Sequence, residues 1–159
     1  MRVHLYERIW IGVAIGLVLL FLAAIGYGAY AFSAHPPSHV ETIDPRRARE
    51  DARFARPGVR VRPDGRVEVV VLAQLFSFAP REIRVPAGRP VTFRLTSPDV
   101  IHGFQIVGTN GNAMVVPGYV SEFTTVFREP GEYLIVCNEY CGLGHHMMHG
   151  KLIVMPEGV

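Results

Sequence analysis

Residues 9–32 form a run of 24 positions without a single charge. A helix of that length rises about 36 Å, enough to cross a hydrocarbon layer of roughly 30 Å. Trp10 near one end and Tyr27 and Tyr30 near the other suit the two headgroup zones. Ala29 and Ala31 resemble the small-residue pattern of a cleaved leader. The apolar part of a leader is about 7–15 residues long, so the longer run reads as a retained transmembrane helix. Arg2 and Arg8 precede it, and no Arg or Lys follows until Arg46. That asymmetry makes residues 1–8 a cytoplasmic flank of a single-pass cell-membrane protein and puts its main domain on the extracytoplasmic face.

The pattern then changes twice. Residues 33–66 are polar, rich in Pro, Arg and Asp, and read as a linker. One helical turn over 45–54 is the regular structure expected there, with Asp44 as N-cap before Pro45 at the first helical position. Residues 67–156 read as all-β. Positions 67–73 are dense in β-branched residues, and 90–96 and 121–127 alternate apolar with polar. Glu129, Pro130 and Gly131 mark a turn, 132–136 follow as a strand, and 151–155 close the domain. Short strands between Gly and Pro turns predict a sandwich or barrel, and about 90 residues can fold around one core.

Charge narrows the function classes. Beyond Phe32 there are 14 basic and 13 acidic residues, so no nucleic-acid-type basic surface exists. The only cysteines, Cys137 and Cys141, lie four positions apart. A disulfide is the plain reading on an outer membrane face, but it leaves the neighbouring His145 and Met148 without a purpose. Two thiolates, an imidazole and a thioether within residues 137–148 make a soft donor set suited to copper or zinc. Structural zinc sites use paired knuckles, and a methionine ligand points away from zinc. A mononuclear blue-copper site needs one cysteine, not two. If both sulfurs bind, they can bridge two metal ions, and a second histidine must come from elsewhere. His102, at the end of a predicted strand, is the candidate.

Cys137, Glu139, Cys141, Gly142, His145 and Met148 together resemble the copper-binding signature of cytochrome c oxidase subunit 2, and residues 97–104 resemble that family's first-histidine segment. The resemblance covers the anchor and residues 67–156. It implies a cupredoxin-like β-sandwich holding a binuclear copper centre, CuA. Cys137 and Cys141 would bridge the coppers, and His102 and His145 would bind one each. Met148 and the backbone carbonyl of Glu139 would be weak ligands. It further implies electron entry from cytochrome c and transfer to haem in a haem-copper catalytic subunit, where oxygen is reduced. The chain itself would move electrons and lack a catalytic residue. A membrane-anchored copper carrier or assembly protein is the alternative reading.

The chain departs from the best-known members in two respects. It has one anchor rather than two, like the B-type oxidases. It also lacks the family's tryptophan near copper, since Trp10 lies in the anchor. Phe76 and Phe78 are the nearest aromatic candidates for electron entry, with core packing as their alternative. His146, Met147 and His149 fall off the family spacing and read as bystanders. Asp99 suits either a turn or the orientation of His102. Leu143, Met114 and Val116 are expected to offer cytochrome c an apolar docking patch.

Overall fold

The computed structural model describes residues 4–32 and 41–156. One unit is α1 (Leu5–Phe32), whose apolar side chains project outward along its length. Among the described residues it is the one helix long and apolar enough to cross a membrane. Part of the expected linker, residues 33–40, lies outside the described residues.

The second unit is a sandwich of two sheets. The first has the order β1 (Glu41–Thr42), β9 (Tyr119–Val126), β6 (Pro90–Thr96), β3 (Val67–Gln74) and β2 (Gly58–Val61), with β4 (Ser77–Ala79) also paired to β3. The second runs β5 (Glu82–Pro86), β11 (His149–Met155), β10 (Gly131–Val136), β7 (His102–Ile106) and β8 (Asn112–Val115). Two pairings are parallel, β3 with β6 and β5 with β11. Phe93, Phe104, Leu95, Ile106, Ile135 and Leu152 fill the space between the sheets and are fully buried.

The strand β3 explains its own composition. Val67, Val69, Val71 and Ala73 face the main core, whereas Val70 and Leu72 on the opposite face meet a second cluster of Ile43, Ala48, Phe54 and Val120. A strand covered on both faces reads as a continuous apolar run rather than an alternating one.

That second cluster revises the linker expected over 33–66. Within it, β1 and β2 join the first sheet, and residues 43–54 cover the sheet's outer face. Asp44 does cap a turn, its carboxylate accepting from the Arg46 amide, but the helix is a short 3-10 segment, Pro45–Arg47. The polar residues that disguised this segment are paired. Arg94 on β6 meets Glu41 and Glu122, while Arg53 meets Glu41 and Asp51. Hydrogen bonds from the Arg53 side chain and amide hold the Asp51 carboxyl down at about 2.

Candidate metal centre

Residues 137–148 form a loop pinned at its base by the β10–β11 pair, where Val136 faces His149. The Cys137 amide donates to the Met148 carbonyl at 3.2 Å, so the two ends of the loop are neighbours. At the far side the chain turns through Gly142, whose φ of +127° favours glycine. The turn continues into a 3-10 segment, His145–Met147.

His102 opens β7 and is fully buried beside this loop. The loop crosses β7 at Gly103, where a Cβ would lie 1.8 Å from Asn138 Oδ1 and 2.9 Å from the Asn138 amide nitrogen. Any larger residue at 103 would push Asn138, and with it the adjacent Cys137, away from His102.

The side chains converge on one point. One ligand atom from each of His102, Cys137 and Cys141 lies within 4.8 Å of the others, and all three residues are buried. The two sulfurs are 3.8 Å apart. A disulfide would need about 2.05 Å, and both cysteines are free. His102 Nδ1 is 4.0 Å from Cys137 Sγ, and His145 Nδ1 is 3.6 Å from Cys141 Sγ. Met148 Sδ lies 3.7 Å from Cys141 Sγ, and the Cys137 thiol donates to the Glu139 carbonyl at 3.2 Å. Burial and the neighbouring Cys137 push the Cys141 thiol up to about 11. A pair of buried, unbonded thiols ringed by two imidazoles and a thioether matches soft metal ions, whose binding would displace the thiol protons.

Asp99 serves both purposes weighed for it. Its carboxylate accepts from the Leu75 amide at 2.7 Å and from the Val100 amide at 2.7 Å, which shapes the turn. The same carboxylate lies 2.8 Å from His102 Nε2. Burial acts to raise the Asp99 carboxyl, but the His102, Val100, Leu75 and Ser97 hydrogen bonds outweigh it and hold it below the usual range. An ionised Asp99 can only accept, so Nε2–H of His102 donates to it and Nδ1 keeps its lone pair toward the sulfurs. Asp99→Asn is expected to weaken copper binding about tenfold, the lower end for partners that orient a metal ligand. Competition with a chelator measures this, and unchanged affinity would contradict it.

The two phenylalanines separate. Phe78 is a core residue, packed edge-on against Phe104 with ring centroids 5.3 Å apart. Phe76 instead lies over the metal loop, where a Cβ on Gly144 would come within 2.6 Å of its ring. It has a φ of +63° and is partly exposed. His146, Met147 and His149 are exposed outside the converged cluster. Sequence reasoning missed Tyr140, whose ring centroid is 5.8 Å from that of His145 and which is 76% exposed. It also missed the Gly103–Asn138 contact, although a glycine directly after His102 was a signal for close backbone approach.

Residues 68–155 match the family described as cytochrome c oxidase subunit II, periplasmic domain. The chain is 41% identical over 153 residues to cytochrome c oxidase subunit 2 of Thermus thermophilus, covering 94% of this chain and 91% of the relative. It is also similar to a chain in an electron cryo-microscopy structure of a heme-copper terminal oxidase dimer. That match has 36% identity and a TM-score of 0.76, covering 94% of this chain and 99% of the other. The periplasmic domain of subunit II of cytochrome oxidase from Bradyrhizobium japonicum shares the fold at 18% identity, with a TM-score of 0.53 over 64% of this chain and 88% of that one.

Proposed function

The chain belongs to the cytochrome c oxidase subunit II family, the electron-entry subunit of heme-copper oxidases, and we propose that it works through a copper pair held by its own loop. His102, Cys137, Cys141, His145 and Met148 would be the side-chain ligands, with the Glu139 carbonyl as a weak sixth. The observation that carries this reading is the convergence of His102, Cys137 and Cys141 with the two sulfurs unbonded at 3.8 Å. When bound, such a pair supplies a one-electron redox couple whose charge change is spread over two ions.

The chain's residues would do the rest. The β10–β11 base and the β7 strand hold the donors in one arrangement, so little reorganisation accompanies electron transfer. Asp99 fixes the tautomer of His102. With every donor position supplied by protein, the chain has no place for a substrate. Oxygen reduction then belongs to the catalytic subunit.

Cytochrome c is the proposed donor. Leu143 in the loop is 91% exposed and Met114, opposite Gly103 on β8, is 53% exposed, and Val116 just after β8 is half-buried. Phe76, itself part-exposed, lies against the loop glycines Gly142 and Gly144, a short route inward for an electron. From Val67 onward the chain has eight acidic and six basic residues, so steering by charge would be modest. The helix α1 would be the single anchor, with the metal domain on the extracytoplasmic face. A carrier or assembly protein would need a site that releases its metal, which a set of six donors, with His102, Cys137, Cys141 and Met148 buried, disfavours.

Anaerobic stopped-flow mixing of reduced cytochrome c with the copper-loaded chain in detergent tests the proposal. The expected result is transfer of a single electron per chain at a rate only weakly dependent on ionic strength. No electron uptake would contradict the role, and a steep fall with salt would contradict apolar docking.

A further inference from the structure

A cavity of about 480 Å³ opens beside the metal loop. Cys137, His145 and Met148 reach it from the inside, Leu134 and Val136 form its sheet-side wall, and His146 and His149 line it as well. Three of the proposed copper ligands can therefore be approached from solvent on this side. The two further histidines have no part in the converged cluster, yet both are exposed. The Nδ1–H of His149 donates to the Met147 carbonyl at 2.9 Å. A carbonyl can only accept, so Nδ1 carries the proton, and in the neutral imidazole the lone pair is the one on Nε2. That is the form of imidazole that binds a metal ion.

We propose that His146 and His149 are a transient Cu(I)-receiving site at the mouth of this cavity, which passes copper to Cys137, His145 and Met148 during assembly of the centre. The proposal rests on the copper reading above. Imidazole and soft sulfur donors both suit copper, and an ion held at the rim reaches the buried donors as an intramolecular step at high effective concentration. Cu(I) leaves its external ligand, is held by the exposed imidazoles, and then exchanges onto the thiol, imidazole and thioether within. Each cysteine releases its proton to water as it binds, and no electron moves.

The test uses the full metal-free chain in detergent, with its thiols reduced and oxygen excluded. Cu(I) is supplied as its bicinchoninate complex, and uptake is followed as loss of that complex's colour. The His146→Ala, His149→Ala double variant is expected to take up copper about tenfold more slowly than the natural chain. It should still reach two Cu(I) per chain, which also reports an intact fold. Uptake at the natural rate would overturn the proposal. So would a slow variant that never fills, since the histidines would then belong to the resident site or to the fold. Failure of the natural chain to take up any copper would remove the copper reading itself, and the receiving site with it.

Discussion

Cys141→Ser is expected to leave the chain with at most one bound copper and to abolish electron entry. Cys141 Sγ is the hub of the cluster, with Cys137 Sγ at 3.8 Å, His145 Nδ1 at 3.6 Å and Met148 Sδ at 3.7 Å. A serine hydroxyl is a hard donor that keeps its proton near neutral pH, so it cannot replace a bridging thiolate. Residues that merely orient a metal ligand are worth about 10–100-fold in affinity or activity, and loss of a bridge should exceed that range. Elemental analysis of the purified chain and oxygen uptake driven by reduced cytochrome c in the assembled complex measure the effect. Two coppers with full oxygen uptake would show that Cys141 is not a bridge.

Phe54→Ala should have the largest effect on folding. Phe54 is fully buried with Ile43, Ala48, Val70, Leu72 and Val120, on the side of β3 away from the main core. Emptying such a site costs about 3–5 kcal/mol, a large share of the roughly 5–15 kcal/mol by which a domain is stable. Chemical unfolding followed by β-sheet circular dichroism reads this as a lower midpoint. A loss below about 1 kcal/mol, the scale of a surface change, would mean that residues 43–54 do not hold the first sheet.

The two predictions also mark where the sequence is readable. The metal loop is legible because its chemistry is local. Donors at 137, 141, 145 and 148 sit in one loop between two strands, and their types leave few alternatives. His102 is legible only through the company it keeps, since a lone histidine in an apolar stretch is usually core. The strands of residues 90–96 and 132–136 follow directly from alternation and turn residues. The cover over β3 was present as a signal too. An unbroken apolar run over residues 69–73 calls for burial on both faces, and the covering segment must come from somewhere.

That segment was not recognisable in its own right. Ile43, Ala48 and Phe54 are spaced by neither a helical nor a strand period, and they sit among arginines and acids that resemble a solvated linker. Only the pairing of Glu41 with Arg94 and Arg53, 53 and 12 residues away, shows why those charges are there. The β1 and β2 strands, two and four residues long, are too short to show a pattern. Asp99 illustrates an intermediate case. Its place three residues before His102 suggests a hydrogen bond, but the Leu75 amide that shares its carboxylate is 24 residues away.

The most direct measurement is electron paramagnetic resonance of the copper-loaded chain after one-electron oxidation of its Cu(I) form. Two sulfurs joining two ions predict a single unpaired electron shared equally by both copper nuclei, seen as a seven-line hyperfine pattern, with two coppers per chain. A four-line pattern from one isolated copper, or a chain saturated by a single ion, would contradict the account.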